Sequence, residues 1–170
     1  MNSNCEKNLV LRQQYALQLI KLLKEGYRIL NFDQTWLSMS DFRRMKWRPY
    51  GTTNSIPKVS IQPRISMFIA IDTNGKTYLT LLQSNTNNRI MDIYLRQLVL
   101  KLDQEDKDWR NNTVILLDGA PYHCSEMTLE LMEGLKIPTL FTGPHSYDAV
   151  PAELYFAAFK ADDVNPSKIP

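Results

Sequence analysis

The chain has 170 residues, 44% apolar and 22% charged, with six glycines and nine prolines. A chain near this length buries about 68–70% of its unfolded surface, so one globular domain with a proper core is expected, and disorder, collagen-like repetition and a disulfide scaffold do not fit. The net charge of +2 does not announce a nucleic-acid binder, but Arg43, Arg44, Lys46 and Arg48 cluster positive charge while Asp103, Glu105, Asp106 and Asp108 cluster negative charge, a polarity that permits a phosphate-facing surface.

No apolar run approaches the ~20 residues needed to cross a bilayer, and the opening MNSNCEKN lacks a secretory layout. The chain therefore reads as soluble and intracellular, with Cys5 and Cys124 as reduced thiols. Residues 9–25 repeat apolar side chains at helical spacing, with Tyr15, Leu19 and Leu22 on one stripe, and Gly26 stops that helix. Tyr27 to Phe32 reads as a buried strand ending at Asp33. Ser66–Asp72 and Tyr78–Gln83 flank Asn74-Gly75, a strong hairpin signal. Asn87 or Asn88 caps a long helix in which Ile90, Tyr94 and Leu98 recur, closed by the acidic DQEDKD segment.

The continuous apolar run Thr113–Leu117 suits a central strand covered on both faces and ends at Asp118. Ser125–Leu135 reads as a helix, Pro138–Thr142 as a short strand and Ala152–Lys160 as a last helix. The order is helix, three mostly antiparallel strands, helix, strand, helix, strand, helix. That predicts an α/β fold with a mixed five-stranded sheet and helices on both faces.

In such sheets, chemistry collects where strands end. Asp33 and Asp118 each follow an apolar strand, and Glu153 opens the last helix behind Pro151. If the two strands are parallel neighbours, both aspartates leave the same edge and Glu153 can point back at it. Three converging carboxylates repel one another unless a cation joins them, and an all-oxygen set favours Mg²⁺ or Mn²⁺. Two such ions can hold a phosphodiester between them, which gives metal-assisted phosphodiester cleavage or transfer. Taken singly, a strand-end Asp is more often a turn former and a first-turn Glu a favourable dipole partner.

Three motifs in order make the chain resemble the catalytic domain of mariner-type transposases, within the group that shares the ribonuclease-H-like fold with retroviral integrases. They are NFDQT at 31–35, LLDGAPYH at 116–123 and GPHSYDAVPAEL at 143–154, with 34 residues between Asp118 and Glu153, a spacing that family uses. The WRPYG stretch at 47–51 and the strand-turn-strand at 66–83 follow the same layout.

The resemblance implies a ribonuclease-H-like fold and Asp33, Asp118 and Glu153 as catalytic metal ligands for two Mg²⁺ ions, replaceable by Mn²⁺. It leaves Asp72 and Asp148 as non-ligands. Gln34, Gly119 and Val150 stand where the family pattern has Glu, Asn and Asn. The implied layout is a helical lead-in at 1–26, a catalytic domain at 27–162 and a tail at 163–170. The implied activity is cleavage of a DNA strand at a transposon end and transfer of the freed 3′-hydroxyl to target DNA. A homodimer on double-stranded DNA, no membrane, and a nuclear location in a eukaryote or a cytoplasmic one otherwise complete the expectation. Only one helix precedes the first strand, so the helix-turn-helix modules that read transposon ends are expected to be missing.

His123 matches the family's His and is expected near the metal edge, either contacting a phosphate or water there or packing its own loop. His145 and Cys124 lack zinc-ligand spacing. Lys160 shares a helical face with Glu153 and is expected on a DNA phosphate. A strand through 43–48 would send Arg44, Lys46 and Arg48 to one face, as a DNA track or as an edge strand blunted by cations. Two other functions stay open: a domesticated, catalytically silent module that binds DNA or protein, and a nuclease acting on RNA–DNA hybrids.

Overall fold

The computed structural model describes residues 5–37, 50–51, 65–144, 146 and 151–161. The first helix, α1, spans Glu6–Lys24. Gly26 stops it as expected: at φ +79° its N–H bonds Leu23 O while the Tyr27 N–H bonds Leu22 O, the paired bonds that close a helix on a left-handed residue. Tyr15, Leu19 and Leu22 face inward on Ile29, Val114 and Leu116.

Three strands follow, β1 (Arg28–Leu37), β2 (Ile65–Asp72) and β3 (Thr77–Gln83), then α2 (Asn88–Glu105), β4 (Thr113–Leu117), α3 (Glu126–Gly134), β5 (Thr139–Phe141) and α4 (Pro151–Ala161). The sheet order is β3-β2-β1-β4-β5. β1 is antiparallel to β2 and parallel to β4, and β5 is parallel to β4. The expected order of elements and the mixed five-stranded sheet are both present. Among the described residues, no helix is long and apolar enough to cross a membrane.

Asn87, rather than Asn88, caps α2 by accepting the Ile90 N–H at 3.0 Å. Ser125 caps α3 through the Thr128 N–H at 3.3 Å. The hairpin is a three-residue loop: the Gly75 N–H bonds Asp72 O and the Asp72 N–H bonds Lys76 O, with Gly75 at φ +82°, the left-handed residue that such a bulged turn requires.

Alternation along the strands sorts the core into two faces. Leu30, Phe32, Phe68, Ala70, Ile115 and Leu117 bury against α2 and α3. On that face Phe32 and Phe68 stack on Tyr94 with ring centroids 5.0 and 4.9 Å apart. The opposite face carries Ile29, Val114 and Leu116 under α1, and Met67 and Ile69 under Ala152 and Phe156 of α4. Helices thus cover both faces, as the continuous apolar runs of β1, β2 and β4 require.

Candidate active site

The expectation that the first strand ends at Asp33 needs correction. β1 continues to Leu37, because its antiparallel ladder with β2 runs on through Leu37↔Ile65. On the other side its parallel ladder with β4 closes at Asn31↔Leu116. Asp33 lies two residues past that pair on β1, with its side chain on the α1/α4 face, and Asp118 lies two residues past it on the chain leaving β4, so both follow the closed ladder at the same edge. Asp33 is therefore held in a strand on one side and open to the end of β4 on the other. α4 packs across β1 and β2 on this face, and its first turn carries Glu153, which is exposed.

Asp33 is only 9% exposed, and its Oδ1 accepts the Gln34 N–H at 2.7 Å. Burial pushes its carboxyl up to about 6, and the charges of Asp118 and Glu153 add to that rise against the Gln34 amide and His123. Desolvation and like charge both disfavour the ionised form. The three sequence-predicted acids thus share one electrostatic neighbourhood centred on Asp33.

They are not drawn into a finished cluster: among the described residues, no three His, Cys, Asp or Glu side chains form a group that could hold a metal ion. The donor set nevertheless suits a hard divalent cation, being all carboxylate oxygen and carrying the mutual repulsion that such an ion relieves.

Asp118 has a different environment. Its Oδ1 accepts the Ala120 N–H at 3.1 Å and pairs closely with His123 Nδ1. Burial pushes the Asp118 carboxyl up, but the His123 bond and charge and the Ala120 amide outweigh it and hold the group below the usual range. His123 is fully buried. Its Nδ1 also faces Asp118 O at 3.2 Å; both partners are acceptors, so Nδ1 carries the proton. Its Nε2 is buried without a partner, and its ring packs on Phe32, centroids 5.4 Å apart, and edge-on to Tyr122 at 4.5 Å. The ring thus packs within its own loop and holds Asp118 through Nδ1.

Tyr122 and Asn31 escaped sequence reasoning. Burial raises the Tyr122 phenol, Gln34 counters through a hydrogen bond, and the charges of Asp118 and Asp33 raise it further, so this ring stands beside both aspartates. Asn31 is 3% exposed and its Oδ1 accepts the Ala152 N–H at 3.0 Å. A lone amide inside the apolar run Ile29–Phe32 is the sequence signal that could have singled it out as a buried polar group, though not its partner.

Asp72 is a structural acid, as expected. Its Oδ2 accepts Arg28 Nε at 2.7 Å, and its Oδ1 accepts the Asn74 and Lys76 N–H groups at 2.8 and 2.7 Å. Arg44, Lys46, Arg48, His145, Asp148 and Val150 lie outside the described residues. Lys160 lies within α4.

This order of elements with an acidic edge where β1 outruns β4 defines a ribonuclease-H-like domain, and the Mos1 transposase shares it. The Mos1 paired-end complex with left transposon end matches with a TM-score of 0.67 at 20% identity, covering 92% of this chain and 48% of that one. The Mos1 mariner paired-end complex with Mn gives 0.68 at 19%, covering 93% and 50%. The Mos1 catalytic domain with Raltegravir and Mg gives 0.64 at 17%, covering 96% and 79%. At these identities the likeness shows the fold, and the chain spans about half the length of the first two. The family model of the DDE superfamily endonucleases matches residues 28–168, and the chain belongs to that family. A search of curated protein sequences finds no match.

Proposed function

We propose that the chain is the catalytic domain of a mariner-type transposase, in which Asp33, Asp118 and Glu153 hold divalent metal for DNA strand cleavage and strand transfer. The observation that carries this reading is the Asp33 carboxyl, buried, pushed up to about 6 and repelled by two further acids. Acids perturbed by burial and by like charge cluster at functional sites, and a divalent cation would relieve both effects. The Mos1 structures with Mn and Mg support divalent metal here, and the complex with a transposon end supports DNA as the partner.

Two bound Mg²⁺ or Mn²⁺ ions would supply an activated oxygen nucleophile and stabilise the departing oxygen. The protein's part is placement. The β1–β2 ladder fixes Asp33, His123 turns Asp118 toward the edge, and α4 brings Glu153. Arg44, Lys46, Arg48 and Lys160 are proposed to track the DNA backbone, with two copies of the chain acting on paired ends. Residues 27–162 are proposed as the catalytic unit, and a nuclear location follows for a eukaryotic source.

The test is nicking of labelled duplex DNA by the purified chain in Mg²⁺ or Mn²⁺. Metal-dependent nicking that Asp33→Asn, Asp118→Asn and Glu153→Gln each abolish is expected; equal nicking by wild type and Asp33→Asn overturns the proposal.

A second reading, a silent DNA- or protein-binding module, is favoured by Gln34 and Gly119, which stand where the family pattern has Glu and Asn. Gln34 Oε1 is buried with no partner among the described residues, and a side chain at Gly119 would meet open space. DNA binding with no metal uptake that depends on the three acids would select this reading.

A further inference from the structure

We infer that Asn31 is a positioning residue that sets Glu153 relative to Asp33, an inference that rests on the metal-ligand reading of those two acids. Asn31 lies two residues before Asp33, so alternation puts both side chains on the α1/α4 face of β1. Its Oδ1 accepts the Ala152 N–H at 3.0 Å, a buried bond between residues 121 apart in the chain.

The donor is a particular one. Pro151 opens α4 and has no N–H, so Ala152 supplies the first backbone donor of the helix, one of those left without an intrahelical partner. Asn31 therefore acts as a cap delivered from a strand rather than from the preceding loop. Ala152 is fully buried on Met67 and Ile69 of β2, and Ile69 is the ladder partner of Asp33. The first turn of α4 is thus pinned by packing to the residue opposite Asp33 and by hydrogen bonding to the residue two before it.

Glu153 is the next residue after Ala152. Its side chain is exposed and the acids are not closed into a cluster, so the rigid part of the geometry is the backbone of this turn. A catalytic constellation tolerates misplacement of only about 0.5 Å, and one neutral amide spans from β1 to α4.

The experiment is a double-mutant cycle on Mn²⁺ affinity, read as free Mn²⁺ by electron paramagnetic resonance, in wild type, Asn31→Leu, Glu153→Gln and the double variant. Asn31→Leu keeps the branching at Cγ, at a larger volume, and removes the acceptor; Asn31→Ser shortens the side chain and lets water satisfy the Ala152 amide, and serves if the leucine variant does not fold. Expected is a loss of about ten-fold or more for Asn31→Leu, the range of residues that orient metal ligands. The double variant should bind no more weakly than Glu153→Gln alone, because Asn31 acts only through Glu153. A merely structural asparagine would give additive losses, which overturns the inference. Wild-type affinity in both position-31 variants beside a loss in Glu153→Gln also overturns it and leaves the metal-site reading standing. Mn²⁺ uptake indifferent to Asp33→Asn and Glu153→Gln overturns both.

Discussion

Replacing Asp33 by asparagine should make the metal-free protein more stable, although it removes a proposed metal ligand. The carboxyl is raised from 3.8 to about 6, chiefly by burial and then by Asp118 and Glu153. A folded-state value above the unfolded one means that the folded protein holds the proton more tightly, so ionisation costs stability. The cost is small near pH 4, grows as pH rises toward the folded value and is complete above about pH 7, where roughly two units amount to about 3 kcal/mol. Asparagine removes that cost and the repulsion on Asp118 and Glu153, while Tyr122, Gln34 and His123 remain in both proteins. In urea unfolding with EDTA, the variant's advantage over wild type should widen by about 1–2 kcal/mol between pH 5 and pH 8. Millimolar Mg²⁺ should narrow the gap, because a ligand held by the native state stabilises only the protein that binds it. A gap that stays the same at pH 5 and pH 8, or a variant less stable than wild type at pH 8, would refute the reasoning.

The opposite end of the β1–β2 ladder should respond with the opposite sign. Burial alone would raise the Asp72 carboxyl, but the Lys76 and Asn74 amides and Arg28 hold it below the usual range, so its stabilisation is present above pH 4 and lost as pH falls below it. Asp72→Asn should cost about 2–4 kcal/mol at pH 7, with the deficit shrinking on acidification in the same urea assay. Lys136 sits at φ +53° just after α3, where a side chain is strained; Lys136→Gly should gain about 0.5–1 kcal/mol, visible as a rise in Tm. A methyl group at Gly143 would lie 3.0 Å from Arg12 Cα and 3.1 Å from Ser146 Oγ. Gly143→Ala should cost about 1–3 kcal/mol, and hydrogen exchange should speed up in α1 more than in β1, because the displaced neighbour is α1 backbone.

Much of this architecture was legible because the local signals agree with the tertiary ones. The run TVILL has one reading, a strand buried on both faces, and it is β4 residue for residue. Gly26, Asn87 and Ser125 mark helix boundaries through backbone chemistry that needs no distant partner. β1 was read too short because an aspartate inside a strand breaks the local pattern; only the β2 ladder, supplied by residues some 35 positions on, keeps the chain extended through Asp33 to Leu37. Asn31 was illegible as a cap for the same reason, since its partner Ala152 is 121 residues away. His123 could be placed near Asp118 by its spacing of five, but its complete burial follows from Phe32 and Tyr122 packing on it, which no local signal carries.

Two buried aspartates on β1 and β2 meet opposite environments, and the contrast bears on the role proposed for Asp33. Asp72 has a guanidinium and two backbone amides, and Arg28 extends the network through Tyr78 to Glu105 and Lys76. Each lone pair that burial strips of water finds a donor, and the charge is held. Asp33, as buried as Asp72 to within a few per cent, has one backbone donor at 2.7 Å and two like charges within electrostatic reach. A sequence free to stabilise this position would supply an arginine or a second amide, as it does at Asp72, or would drop the carboxylate. An under-satisfied acid beside two others is the environment that a divalent cation would relieve, which is why the proposed function places a metal there. On that ground Asp33→Asn separates the two roles: a structural acid would lose stability at neutral pH on substitution, as Asp72 should, whereas a ligand waiting for its cation gains it.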